Sequence, residues 1–535
     1  MAAIGTLTVI TDEKQLKLTS EIERTMLELL MDAGITDISA PCGGNGLCGK
    51  CTIQVLEGGS QNVHEDEQRL LSSEQIEAGI RLACRMRLSP GEEVTISLLN
   101  REEDAQVVAA YQGGETVKAG RSEFPPQSYG CAIDIGTTTV VVYLVRLDTQ
   151  EIVDYRSRMN PQRAYGGDVI SRIQFTEEHA KGLSTLQGSI VQQLSTMIDE
   201  LLSSHKVPHQ NLVEIVAVGN PTMLHLLVGA DPAGIACAPF TPAFVEPKEL
   251  EAASIGFKTH ATLVLPGSVS AYIGSDITVG VLATGFMENN KPVLYIDIGT
   301  NGEIVLWDGK KLYCCSSAAG PAFEGASIRQ GLGAIPGAVD RIWQSEDGSV
   351  ASTTIGGKPA KGICGSAIID VMALLLETGL VDETGAMDED HPLAETHLVE
   401  SPDGNALRIT EGVSFTNRDV REVQLAKAAI AAGAEILLME AGLQISDLDA
   451  VIIAGGFGSY IDSKNAQRIG LLPAVPIEKI ATAGNAAGKG ALAVLMHAGA
   501  AEQVEKIRQR AHYIELSSSL AFQERYVEHM FFGEG

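Results

Sequence analysis

Two segments of this chain repeat one pattern: C-A-I-D-I-G-T-T-T-V-V-V-Y-L-V begins at Cys131 and L-Y-I-D-I-G-T-N-G-E-I-V-L begins at Leu294. In each, an apolar strand carries an aspartate to its carboxyl end, the chain turns on a Gly-Thr pair, and a second apolar strand returns. A single D-x-G-T would say little, because ordinary hairpins contain it, but two copies predict a duplicated domain. The turns at Gly136 and Gly299 expose backbone N–H groups next to Thr137, Thr138, Thr300 and Asn301. Such turns hold phosphate oxygens, while Asp134 and Asp297 reach a Mg²⁺ ion, often through water. Val451 to Ala454 reads as a third buried strand. Gly455, Gly456 and Gly458 follow it, in a turn that admits a flat nucleoside.

A second motif lies upstream. The run C-G-G-N-G-L-C-G-K-C sets Cys42, Cys48 and Cys51 in one loop, and Cys84 follows from a distant segment. Three thiolates at this spacing wrap one side of a [2Fe–2S] cluster and the fourth closes the set. Gly43, Gly44, Gly46 and Gly49 allow left-handed backbone and let N–H groups approach the sulfurs. Zinc ligands more often come as two close pairs, whereas here one triplet stands with a single residue. Around the loop, Thr6 to Thr11, Thr52 to Leu56 and Val94 to Leu98 read as strands, and Ile22, Met26, Leu29 and Leu30 mark one face of a helix. That order, with the C-x5-C-x2-C loop, resembles the β-grasp ferredoxins over about residues 1–100.

The two phosphate hairpins and the Gly-rich third turn, in this order, resemble the actin, heat-shock-70 and sugar-kinase superfamily. Its two related subdomains clamp ATP between two phosphate hairpins and an adenosine loop. In that pattern S-A-Y-I-G-S-D-I-T-V-G-V-L-A-T-G, from Ser270, corresponds to a first connecting helix and G-N-A-A-G-K-G-A-L, from Gly484, to a second. Small residues let the two cross closely. Asp276 falls where relatives carry an acidic or amide residue that places the attacking water; Asp at a helix start is also an ordinary N-cap. V-G-N-P-T-M-L-H-L-L, from Val218, reads as a strand with Asn220 and Pro221 opening a core helix, although Thr222 or His225 facing the cleft stays open. A-A-G-P-A-F-E-G-A, from Ala318, and G-I-C-G-S, from Gly362, are Gly-rich loops placed to line a nucleotide. Val423, Ala426, Ile430, Gly433 and Leu437 give a long amphipathic scaffold helix over Arg421 to Leu443.

The expected architecture is therefore α+β and α/β multidomain: an N-terminal β-grasp [2Fe–2S] ferredoxin followed by a duplicated actin-like, ribonuclease H-like ATPase. Residues 1–100 form the ferredoxin, 101–128 a linker, 129–285 the first ATPase subdomain and 286–535 the second. A helix near 484–498 returns to the first subdomain. The linker loses hydrophobic periodicity and is broken by Gly113, Gly114, Gly120, Pro125 and Pro126. At about 3.3–3.6 Å per residue it gives a tethered electron carrier considerable reach. A formal net charge of −29 argues against nucleic acid as a partner, since phosphate backbones are bound through Lys and Arg. Without a basic leader or an apolar run of about 18 residues, a cytoplasmic protein with no membrane contact is expected. In that reducing setting Cys131, Cys237, Cys314, Cys315 and Cys364 are expected to be packing residues.

A ferredoxin joined to an ATPase of this kind resembles the reductive activators of corrinoid enzymes. The likeness runs through N-P-Q-R-A-Y-G-G-D-V-I-S-R-I from Asn160, V-G-N-P-T-M-L-H-L-L, Y-I-D-I-G-T-N-G-E-I and I-A-G-G-F-G-S-Y-I-D. It implies ATP-dependent one-electron reduction of cobalt(II) to cobalt(I) via the cluster, restoring methyltransferase activity in anaerobic one-carbon metabolism. The cofactors implied are one [2Fe–2S] cluster, ATP and Mg²⁺; the partners are a corrinoid protein of a methyltransferase system and a low-potential electron donor. Plant-type centres sit near about −400 mV and the resemblance implies a lower cobalt couple; a shortfall of about 120 mV leaves roughly one part in a hundred reduced. ATP would supply the difference. Larger relatives carry a further domain where this chain has only the linker, so dimerisation through that domain does not carry over, and a homodimer stays open. The single cysteine set also speaks against the [4Fe–4S] clusters of some members. The alternative is a ferredoxin-fused small-molecule kinase with a redox-sensing cluster. A heat-shock-70-like binding module would need more than the residues after Ala501 for its peptide domain, and an activator of radical dehydratases would share one cluster across a dimer.

Overall fold

The alternating residues of the N-terminal segment form a five-stranded sheet. The computed structural model describes residues 4–10, 15–33, 35, 38, 40, 44, 46, 48–59, 62–98, 121, 124–456 and 461–533. They fall into two compact units, Met1–Asp104 with Met159–Gly182, and Ala105–Arg158 with Leu183–Gly535.

In the first unit, β1 (Gly5–Ile10), β2 (Gln15–Ser20), β3 (Thr52–Gly58), β4 (Ile80–Leu82) and β5 (Glu93–Leu98) pair in the order β2-β1-β5-β3-β4. The first and last strands run parallel at the centre, which is the β-grasp arrangement. Helix α1 (Met26–Asp32) starts in a reciprocal cap between Thr25 and Glu28 and buries Met26, Leu27, Leu29 and Leu30 against Leu7, Val9, Ile53 and Ile96. Ile22 does not join that face. It lies in a bend before the cap and is exposed, because the helix begins four residues later than the apolar spacing suggests. Glu67, fully buried on α2 (Glu65–Leu70), is satisfied by Arg81 at 2.9 and 2.7 Å and by the backbone N–H groups of Leu82 and His64. A buried ion pair is tolerable only with such complete pairing. The Met159–Gly182 segment adds a turn capped by Asn160 and helix α3 (Val169–Glu178), capped by Asp168.

In the second unit the predicted repeat appears as two sheets of one plan. The first contains β6 (Tyr129–Ile135), β7 (Thr139–Arg146), β8 (Glu151–Met159), β9 (Leu212–Gly219), β10 (Lys248–Glu251) and β11 (Thr262–Leu265), in the order β8-β7-β6-β9-β11-β10. The second contains β12 (Val293–Ile298), β13 (Gly302–Trp307), β14 (Leu312–Ser317), β15 (Ala450–Ala454), β16 (Ile480–Gly484) and β17 (Ala511–Tyr513), in the order β16-β15-β12-β13-β14-β17. In both, the strand bearing the aspartate is antiparallel to the next strand in sequence and parallel to the one on its other side. Strands buried on both faces read as near-continuous apolar runs, as β6, β7, β12 and β13 do.

Two helices cross between the sheets, α4 (Ser275–Thr284) and α6 (Ala486–Met496). A methyl group on Gly490 would lie 2.2 Å from the Val279 carbonyl oxygen, so the backbones touch where the sequence offers small residues. The scaffold helix α5 (Asn417–Ala441) buries Val423, Ala426, Ile430, Gly433 and Leu437. Cys131, Cys314, Cys315 and Cys364 are buried as expected. Cys237 is not; it ends the short helix Ala233–Ala236 at the surface. No helix among the described residues is long and apolar enough to cross a membrane.

Candidate functional site

Asp134 and Asp297 occupy the same place in the two sheets, the penultimate position of the central strand, where each chain is about to turn. The turns close through Gly136 N–H to the Thr139 carbonyl at 2.9 Å and Gly299 N–H to the Asn301 carbonyl at 3.1 Å. Asp276 arrives from the first turn of α4, whose N-cap is Gly274 rather than the aspartate itself. Its carboxylate accepts from the Ile277 N–H at 2.9 Å.

The three aspartates keep partial solvent access, yet dense protein surrounds them. Burial pushes Asp276 up to about 8, and the nearby charges of Asp297 and Asp134 push the same way. Burial raises Asp134 to about 7, opposed by a hydrogen bond from Asn485 and reinforced by Asp297. Asp297 rises to about 6 through burial, opposed by the Tyr295 hydroxyl, which donates to it at 3.1 Å. Three carboxylates from three elements thus feel one another in one cleft, an arrangement that calls for a cation or shared protons.

Four further residues complete the site, and sequence reasoning singled out none of them in these roles. Glu303 on β13 is buried and held well above its ordinary range, first by burial and then by Asp276 and Asp297, with Asn301 donating to it. Its signal was a lone carboxylate in an apolar strand. Asn220 caps its helix through Met223 N–H at 3.0 Å and also donates to the Thr137 hydroxyl at 3.0 Å, so it joins core and hairpin. Asn485 caps α6 through Gly488 N–H at 2.7 Å while serving Asp134. Glu324, in the loop from Ala318, accepts from Thr138 at 2.5 Å and from Thr300 at 3.0 Å. Thr222 and His225 are buried in the core; the His225 ring contacts the Pro221 carbonyl and accepts from Ala243 N–H. Gly455 takes a positive φ of 99°, and a side chain there would meet Asp297 at 2.9 Å. Gly456 follows it in the turn, and Gly458 lies outside the described residues.

In the first unit Cys51 and Cys84 are buried and Cys48 is half-buried. The Cys84 thiol lies within hydrogen-bonding reach of Cys51 and, with burial, drives the Cys51 pKa far upward; Cys48 adds to the shift. Cys42 lies outside the described residues. Gly44, Gly46 and Gly49 adopt positive φ, as the loop was expected to require. Arg85 and Arg69 donate to the Gly44 and Gly46 carbonyls at 3.0 and 3.1 Å, and Asp66 holds both guanidinium groups. Two thiols from a loop pinned by its carbonyls, with the Cys84 thiol brought against them from a distant segment, fit an iron–sulfur cluster. Among the described residues no three His, Cys, Asp or Glu side chains stand close enough to hold a single metal ion.

Residues 291–534 match the family described as the C-terminal domain of RACo, the ASKHA domain; 129–289 match the RACo middle region and 9–89 a 2Fe-2S iron-sulfur cluster binding domain. A Eubacterium limosum protein, corrinoid activation enzyme RamQ, is 34% identical over 421 residues, which cover 76% of this chain and 70% of the relative. The chain belongs to the family of corrinoid reductive activators. A Methanosarcina barkeri member, the [Co(II) methylated amine-specific corrinoid protein] reductase, is 24% identical over 75% of this chain and 76% of its own. Among solved structures, a reductive activator for corrinoid, iron-sulfur protein superposes with a TM-score of 0.71 at 30% identity, covering 99% of this activator and 98% of that chain.

Proposed function

We propose that this activator couples ATP hydrolysis to the one-electron reduction of cobalt(II) to cobalt(I) in a corrinoid protein. The observation that carries the reading is the convergence of Asp134, Asp276 and Asp297 between two phosphate hairpins, in a chain whose relatives are named for corrinoid activation and reduction. Gly136, Thr137, Thr138, Gly299, Thr300 and Asn301 hold the phosphates, and Gly455, Gly456 and Gly458 bound the nucleoside. Asp134 and Asp297 would hold Mg²⁺, which when bound would neutralise phosphate charge. Asp276, raised by its neighbours, orients the attacking water and takes up its proton. Cys42, Cys48, Cys51 and Cys84 hold the cluster, which when bound supplies a one-electron carrier.

Nucleotide-driven movement of the two subdomains about the crossed helices changes which state of the corrinoid partner is bound more tightly, and that difference in affinity is what ATP can impose on an unfavourable reduction. The formal net charge of −29 favours a basic face on the partner or the electron donor.

The test is product analysis during turnover. Incubating the cluster-loaded activator with ATP, Mg²⁺ and a cobalt(II) corrinoid protein should release inorganic phosphate at a rate that rises with partner concentration. Accumulation of a phosphorylated small molecule, with no response to the corrinoid protein, would instead identify a kinase.

A further inference from the structure

Glu324 is an acidic side chain placed where a phosphate site needs donors. Its carboxylate accepts from the Thr138 hydroxyl of the first hairpin at 2.5 Å and from the Thr300 hydroxyl of the second at 3.0 Å to each oxygen. A methyl group on Gly299 would come within 3.7 Å of the same carboxylate, so Glu324 lies against the second turn itself.

The loop that presents it is anchored on both sides. Phe323 is 1% exposed and anchors one side; Gly325 on the other takes a φ of 78° and packs against the Leu332 backbone. Gly325 and Ala326 N–H groups close the loop onto the Ala322 and Pro321 carbonyls. A carboxylate fixed in this way engages both hydroxyls at little entropic cost. Both are charge-assisted bonds, stronger than neutral ones.

We propose that Glu324 is an affinity-setting tie between the two phosphate hairpins, and that the phosphates of a nucleoside triphosphate bind by taking Thr138 and Thr300 from it. The inference rests on the reading of the cleft as a nucleotide site. A carboxylate and a polyphosphate cannot both hold these hydroxyls, and their like charges repel at short range. Thr138 belongs to the first subdomain and Thr300 to the second, so breaking the tie also removes one polar link between the two halves. The arrival of phosphate is thereby linked to movement between the halves. Glu324 acts here as a positioning residue for the phosphate site.

The experiment is equilibrium binding to the full-length, cluster-loaded protein, in EDTA, with ATP and with adenosine as separate probes, for the native chain, E324Q and E324A. The Gln variant keeps the side-chain volume and guards against loss of the loop. Both variants should bind ATP about tenfold tighter or more, while adenosine affinity stays constant, because only the phosphates compete with the carboxylate. Unchanged or weaker ATP binding by E324Q overturns the tie. So does a parallel change for ATP and adenosine, which would mark Glu324 as a purely structural support. If the native chain and both variants bind adenosine but not ATP, or neither probe, the nucleoside triphosphate reading falls and the tie with it.

Discussion

Glu303 stands directly across the second hairpin from Asp297, whereas Val141 occupies the corresponding place across the first hairpin from Asp134. The duplicated halves are therefore chemically unequal at the point where they face the cleft. Burial, Asp276 and Asp297 all hold Glu303 well above the usual carboxylate range, so its site disfavours the charged form. E303Q should accordingly keep ATP hydrolysis within about threefold of native, and E303V should lose about tenfold or more, as steady-state phosphate release would show.

The same cleft gives stability a pH dependence of known sign. Asp134, Asp276 and Asp297 are raised from 3.8 to about 7, 8 and 6, so the folded chain holds more protons than the unfolded one through that interval. Stability should fall as pH rises from about 4 to 8. Lys427 works in the opposite direction. Its buried ammonium donates to the Phe531 carbonyl, and burial lowers it from 10.5 to about 8. Between about pH 8 and 10 this adds a stabilising contribution, but the buried thiols of Cys131 and Cys314, raised from 9.0 to about 12, continue the loss above about pH 9. Thermal melts should show stability falling from about pH 4 upward, with D276N flattening the fall below about pH 8 and K427M steepening it above.

The crossing of α4 and α6 has no room for a side chain at Gly490, where a methyl group would meet Val279 O at 2.2 Å. G490A should cost about 1–3 kcal/mol in chemical denaturation. It should also reduce ATP turnover, because α4 carries Asp276 and the start of α6 carries Asn485, the hydrogen-bond partner of Asp134.

Much of this was legible in the chain because local pattern and global fold agree. The repeat around Asp134 and Asp297 has a strand-turn-strand signal in each copy, and the small residues of the connecting segments announce a close crossing. Boundaries were less legible: Ile22 fits the apolar spacing of α1, but the Thr25–Glu28 cap starts the helix after it. Cys237 looks like its buried counterparts and differs only in where a short helix ends. The loop carrying Glu324 read as lining a nucleotide, but the bond to Thr138, 186 residues away, could not be read because only tertiary closure makes it. Asn220 reads as a cap from its sequence neighbours, and its second bond, to Thr137, depends on β6 and β9 pairing side by side.

Cluster binding and nucleotide binding reside in separate units, so they should fail separately. C84S should lose the visible absorption and most of the iron of the native protein, while ATP binding remains unchanged. D297N should do the reverse, with full iron content and ATP hydrolysis reduced about a hundredfold, read by metal analysis and phosphate release.

In the proposed reaction ATP drives reduction of a corrinoid partner by this chain. Its most direct test is an anaerobic mixture of the pre-reduced activator with a cobalt(II) corrinoid protein, followed by cobalt(I) absorbance with and without MgATP. Cobalt(I) that accumulates only when MgATP is present, and not with D297N or C84S, is the predicted result. Equal cobalt(I) with and without ATP, or none across several corrinoid partners while ATP is still hydrolysed, would contradict it.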